Sequence, residues 1–311
     1  MKMLKTIAPI LLVGVVLVGC NSNEQTTEPK KIEGGKKIEH MHGLSYQDDT
    51  IFVATHEGMI STSDKGESWY TVSSHDNDFM GYHALSNGEM ITSGHPGKSS
   101  NLPDPLGLLK STDNGITWEE VSLQGKIDFH ILDANYSNTD IIYGLNQMGS
   151  GKFGAGIFKS IDGGENWDKI EPVGLPDDLH KIYTLISLPN NDSELLAGTQ
   201  NGVMRSEDSG ETWELLDGNR LITAITVMPN ESKDLVSYSI TQNEAGIMKS
   251  SDNGETWDYI GLDLGEDAVN NISINADNNN LMSGTTFNNS VYVTEDGGKN
   301  WKHTIDAGTI K

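Results

Sequence analysis

All six tryptophans of this chain fall in one recurring phrase, and that recurrence narrows the available folds more than any other feature. The phrase stands at residues 61–69 (STSDKGESW), 110–118 (KSTDNGITW), 159–167 (KSIDGGENW), 205–213 (RSEDSGETW), 249–257 (KSSDNGETW) and 293–301 (VTEDGGKNW). Its frame is Ser/Thr-x-Asp-x-Gly-x-Ser/Thr/Asn-Trp. Successive tryptophans are 49, 49, 46, 44 and 44 residues apart, the period of propeller blades. The Asp can accept hydrogen bonds from the backbone of its own turn, and the Gly two positions later supplies a positive φ. The Trp ring then buries a large apolar area between neighbouring sheets. Apolar runs such as Gly156-Ile-Phe, Gly202-Val-Met and Gly246-Ile-Met precede the phrases, and short strands such as Trp69-Tyr-Thr-Val follow. Each phrase is therefore a turn between two strands. With 34 Gly, 9 Pro and no helical periodicity beyond the N-terminus, the chain suits many short strands.

These phrases resemble the Asp-box (BNR) repeats of sialidases, the sortilin N-terminal domain, xyloglucanase-type glycoside hydrolases and photosystem assembly-factor-like propellers. The resemblance implies an all-β, six-bladed β-propeller over residues 38–311, with four antiparallel strands A to D per blade and the box joining C to D. In blade 1 these strands begin near His42, Ile51, Gly58 and Trp69. The boxes specify the fold and say little of function, because they are structural turns.

The first residues differ in kind. Lys2 and Lys5 precede an apolar stretch over residues 7–18, too short to read first as a membrane-spanning helix. It ends in Leu17-Val18-Gly19-Cys20, which resembles the lipobox of bacterial lipoproteins. That resemblance implies a signal peptide over residues 1–19, a lipidated Cys20 and attachment to the extracytoplasmic face of a bacterial cell membrane. Cys20 is the one cysteine, so an intramolecular disulfide and a Cys-rich metal site are both excluded. Residues 20–37 are polar without apolar period and read as a flexible tether. Loss of Lys2 and Lys5 from 21 basic residues takes the net charge from −24 to −26. That acidity disfavours nucleic acid, which needs clustered Lys or Arg, and suits a solvated, monomeric surface.

Strand direction alternates within a blade, so the boxes and A–B turns share one face, while D–A and B–C connections share the other, here called the top. Six histidines fall in the top set. His40 and His42 open strand A of blade 1, and the phrases His83-Ala-Leu and His130-Ile-Leu match His42-Gly-Leu in blades 2 and 3. His56 and His95 end the B strands of blades 1 and 2. Because A strands line the axis, His42, His83 and His130 are expected to face a common space, with Asp128 on the same side as His130. Blades 4–6 carry Tyr183-Thr-Leu, Ala224-Ile-Thr and Ile272-Ser-Ile there, and Gln200 ends B of blade 4. Residues 96–106 and 148–155 lengthen the B–C connections over the histidine blades.

Converging imidazoles without cysteine suit a divalent transition metal, zinc or copper. Met41, Met59, Met80 and Met148 lie nearby and leave room for copper. The same histidines could instead be strand-end residues bonded to carbonyls or water. His75, His180 and His303 read as surface residues.

Two other function classes remain open. A glycoside hydrolase would need two carboxylates across a cleft, and Asp128, Glu57 and Asp133 are weak catalytic candidates among 45 acidic residues. The sialidases of the family use an arginine triad; with Arg205 and Arg220 alone, sialidase chemistry is excluded. A sortilin-like scaffold would dock a protein ligand and need neither metal nor turnover. No Ser-His-Asp spacing, phosphate loop or nucleotide fingerprint occurs.

Overall fold

Each Asp box folds as one small hydrogen-bonded knot. In the first, Thr62 Oγ1 donates to Asp64 Oδ1 (2.7 Å) and accepts from Gly66 N (3.0 Å), while Ser68 N donates to Asp64 Oδ1 (2.8 Å). Two consecutive residues are left-handed, Lys65 at φ +59° and Gly66 at +83°. The glycine is also required by packing: a Cβ at Gly164 would lie 2.2 Å from Leu108 Cδ2 of the preceding blade. In the boxes of blades 3–6 the indole N–H of Trp167, Trp213, Trp257 and Trp301 donates to the box glycine carbonyl at 2.8–3.0 Å.

The computed structural model describes residues 29–72, 76–149 and 151–311. The expected signal peptide, Cys20, the first part of the tether and His75 lie outside them. Among the described residues no helix is long and apolar enough to cross a membrane.

Six antiparallel sheets follow one another along the chain, and the boxes join their third and fourth strands. The fold is a six-bladed β-propeller. Its apolar residues form six clusters, one at each interface between adjacent blades, and each cluster holds one box tryptophan. The repeated Trp is thus the wedge between blades, with Trp69 and Trp213 at 0% and 5% exposure.

The first and last blades carry a fifth strand each. Lys30–Lys31 pairs with Tyr70–Thr71, and Thr309–Ile310 pairs with Lys302–Asp306. Ile38 N donates to Gly308 O (2.7 Å), and Ile32 and Ile38 are buried. Residues from Lys30 to Ile38 are therefore paired to the edges of the first and last blades. Two isolated isoleucines among lysines and glycines suffice to dock this segment, too few to show as a period.

The innermost strands are Met41–Gln47, Asp78–Ala84, Ile131–Ala134, Ile182–Ser187, Leu221–Val227 and Val269–Ile274. Five of them carry a register shift near the top, between Met41 and Gly43, Phe79 and Tyr82, Ile182 and Thr184, Ile222 and Ala224, and Val269 and Asn271. A bulge leaves its extra residue unpaired and re-aims the side chain. The bulged positions are His42, Met80 with Gly81, Tyr183, Thr223 and Asn270. In blade 3, counting from the box, Leu132 pairs with Gly144 as Leu44 pairs with Val53, which sets His130 level with His42.

Candidate metal centre

The innermost strands enclose a channel of about 570 Å³, whose wall includes His42, Met80, His83, His130 and Asp133. Around its top the register aligns three positions from blade to blade. The bulge position is His42, Met80 and His130 in blades 1–3. Two residues earlier stand His40, Asp78 and Asp128. The end of strand B carries His56 and His95 in blades 1 and 2.

His83 does not reach this level. It pairs with Ile91 near the lower end of its strand, while Asp78 pairs with His95 at the top. The resemblance of His83-Ala-Leu to His42-Gly-Leu is three residues out of register, and Met80 holds the expected place. His83 shares a lower ring of the channel with Asp133. Burial holds the His83 imidazole below its ordinary pKa, with Asp133 opposing. Asp133 accepts from Ser187 N (2.8 Å) and Ser187 Oγ (2.7 Å), and burial nonetheless raises its pKa.

Two clusters form at the top. In the first, His42, His56 and Asp78 each offer a ligand atom, all within 4.8 Å of one another. His56 Nε2 lies 3.6 Å from Asp78 Oδ2. The rings of His40 and His42 stack on that of His56, with centroids 4.4 and 4.6 Å away. His40 itself is left-handed at φ +50°, uncommon for a residue other than glycine. Burial, followed by the neighbouring imidazoles of His56, His40 and His130, lowers the His42 pKa to about 4. His42 is therefore neutral at pH 7, and its buried Nε2 has no hydrogen-bond partner. Asp78 Oδ1 is likewise buried and unpartnered. Burial raises the Asp78 pKa, and Asp128 adds to this against the pull of His56 and His95.

In the second cluster His95 Nε2 and His130 Nε2 lie 3.2 and 3.6 Å from Asp128 Oδ2. Asp104, from the long B–C connection of blade 2, meets His95 Nδ1 at 2.7 Å. Burial works against the charged form of His95, but Asp104, Asp128 and Asp78 together raise its pKa.

Sequence reasoning missed Asp78 and Asp104. Asp78 had a signal: Asp78-Phe79-Met80-Gly81 aligns with His40-Met41-His42-Gly43 and with Asp128-Phe129-His130. Asp104 had none, since it sits in an insertion without a counterpart. Of the carboxylates weighed as catalytic, Glu57 is exposed and lies 3.7 Å from Lys36, while Asp133 is tied to Ser187. Of the methionines, Met41 and Met59 are core residues, Met148 is exposed, and Met80 lines the channel. Arg205 is engaged on the box face by Glu194 (2.7 Å) and Glu255 (2.6 Å). His180 is exposed beside Asp178, whereas His303 is partly buried and stacked on Tyr292.

Known proteins bear on the fold. The family described as "Sortilin, neurotensin receptor 3" matches residues 201–309, and the BNR/Asp-box repeat matches residues 109–120. No curated protein matches the sequence. Among solved structures, a GH74 enzyme from Niastella koreensis superposes with a TM-score of 0.58 at 15% identity, covering 89% of this chain and 46% of that one. The GH74 xyloglucanase from Xanthomonas campestris gives 0.55 at 13%, covering 89% and 47%. The chain thus spans about half the length of these enzymes. Oligogalacturonate lyase from Vibrio parahaemolyticus gives 0.51 at 12%, covering 89% of this chain and 84% of the lyase. At these identities the likeness is one of fold. Six boxes in six blades, with matches to the sortilin and BNR/Asp-box models over parts of the sequence, make this chain a six-bladed β-propeller with Asp-box (BNR) repeats.

Proposed function

We propose that this chain is an extracytoplasmic, lipid-anchored propeller that holds a divalent transition-metal ion, zinc or copper, at the top of its channel. His42, His56 and Asp78 would be the ligands, with His40 stacked beside them. One observation carries this reading: His42 Nε2 and Asp78 Oδ1 are both buried without partners inside a cluster of ligand spacing. Unpartnered buried polar atoms are costly, and a cation supplies a partner to both at once. Imidazole with carboxylate suits zinc and copper. A neutral His42 needs no deprotonation before it coordinates. The lipid anchor rests on the position of Cys20 directly after the apolar leader.

The test is ion content of the purified chain after loading with Zn²⁺ or Cu²⁺ alone. Stoichiometric metal is expected, with a site lost in His42→Ala and in Asp78→Asn. Metal content unchanged in both variants would sink the reading. For the anchor, Cys20→Ala should move the protein from the membrane fraction to the soluble one.

A second reading, an enzyme acting on glycans, draws on one specific feature. Asp78, kept protonated more readily by burial, lies near Asp128 at the top of the propeller, as an acid and a base would. Turnover of aryl glycosides or cell-wall glycans that disappears in Asp128→Asn would favour it over a metal-binding role alone.

A further inference from the structure

The top of the propeller repeats itself by one blade. His56 ends strand B of blade 1 and faces Asp78 at the head of blade 2; His95 ends strand B of blade 2 and faces Asp128 at the head of blade 3. The two His–Asp pairs occupy equivalent register positions in successive blades, although only the first trio has all its ligand atoms within 4.8 Å of one another. We propose that His95, Asp128 and His130 form a second divalent-cation site beside the first, so that the channel mouth holds two ions rather than one.

Three features support a ligand here beyond the presence of the residues. Asp128 is 8% exposed, and neither carboxylate oxygen has a hydrogen-bond partner. Both imidazoles turn Nε2 toward the same oxygen, Asp128 Oδ2, at 3.2 and 3.6 Å. Both also have Nδ1 occupied elsewhere: His95 by Asp104 Oδ1 at 2.7 Å, and His130 by the backbone carbonyl of Asp128 at 3.3 Å. An imidazole that donates from Nδ1 to a carboxylate or carbonyl keeps the Nε2 lone pair for a metal, and this is the usual outer arrangement of metal-bound histidine. A bare ion pair between His95 and Asp128 needs neither the second imidazole nor the outer carboxylate.

The second site is not a copy of the first. The position that His42 holds in blade 1 is Met80 in blade 2, and His130 comes from the next blade instead.

This inference extends the metal reading of the first cluster, but the two stand on separate ligands and can fail separately. The full chain is stripped with a chelator and reloaded with Zn²⁺ or Cu²⁺ alone, and ions per chain are counted. Two are expected in the wild type, one in His42→Ala, one in Asp128→Asn and none in the double variant. A single ion lost in His42→Ala and kept in Asp128→Asn overturns the second site and leaves the first. A single ion with the opposite pattern supports the second site and overturns the first. A single ion lost in both variants means one shared centre and overturns the proposal, as does a chain that takes up none. Because Asp128→Asn alters a buried group, Asp104→Asn gives an independent reading on an exposed one. It should weaken one of two ions by roughly 10–100-fold and leave the other unchanged; no change in either overturns the proposal.

Discussion

Blades 1–3 and blades 4–6 are built on the same plan and differ at three positions each. Both halves have the box, the tryptophan wedge and the bulged innermost strand. The position that is His42, Met80 and His130 in one half is Tyr183, Thr223 and Asn270 in the other. Two residues earlier, His40, Asp78 and Asp128 give way to Lys181, Leu221 and Ala268. At the B-strand end, His56, His95 and Gln147 correspond to Gln200, Ile240 and Phe287. Thr223 shows what such a position does when it serves the fold: its hydroxyl donates to Val269 O at 2.6 Å and is satisfied. His42 at the equivalent place is buried and unsatisfied. The backbone is held in common, and the chemistry is confined to substitutions on one side of it.

The largest expected effect should be alike in both halves. Trp69→Ala in blade 1 and Trp213→Ala in blade 4 each remove a buried wedge and should cost about 3–5 kcal/mol in denaturant unfolding. A cost near zero for either would show that the blades are not equivalent. Neither change should alter the number of bound ions.

The next effect should separate the halves. Saturating metal at about 100 times Kd stabilises a one-site protein by about 2.7 kcal/mol. His56→Ala should lose the first site's share of that gain, measured as the shift in thermal midpoint on adding Zn²⁺ or Cu²⁺. Gln200→Ala, the equivalent change in blade 4, should keep all of it. Equal losses would place the metal outside the first cluster.

The same comparison explains what could be read from the sequence. Blade number, box position and the top face followed from six local phrases, because a box is stabilised by its own turn and needs no distant partner. His42, His56, His95 and His130 were placed by counting strands from those phrases. His83 was misplaced because its surrounding letters imitate those of His42, whereas the pairing of Tyr82 with Thr92, matching that of Leu44 with Val53, makes Met80 the counterpart of His42. Asp104 depends on how an insertion folds back over His95, which is tertiary information. The docking of Lys30–Lys31 on blade 1 is of the same kind.

His83 offers a smaller effect, again confined to one half. Burial lowers its pKa from 6.5, so the unfolded chain binds a proton that the folded chain refuses. Stability from this group is complete above pH 6.5 and declines as pH falls through that value. In His83→Gln the loss of urea resistance between pH 7.5 and 5.5 should therefore be smaller than in the wild type. Blade 4 has Ile186 at this level, and Ile186→Val should leave the pH dependence unchanged. An unaltered slope in His83→Gln would show that His83 titrates normally.

The smallest effect tests the shared framework in acid. All six box carboxylates are held below their ordinary pKa. Asp162 in blade 3 and Asp296 in blade 6 reach about 2, through the backbone N–H and side-chain amide of Asn166 in one and the side chain and backbone of Asn300 in the other. A depressed carboxylate contributes stability that is present above 3.8 and is lost as pH falls through the folded value near 2. Replacing either by Asn removes one such contribution, so part of the decline between pH 4 and pH 2 should vanish from the unfolding curves. Both carboxylates lie in surface turns that solvent screens, which keeps each effect small. The two variants should nevertheless behave alike, since one box lies under the histidine blades and the other does not. An acid response confined to Asp162→Asn would mean that the chemistry of the top face reaches the boxes, and the division between common framework and one-sided site would fail.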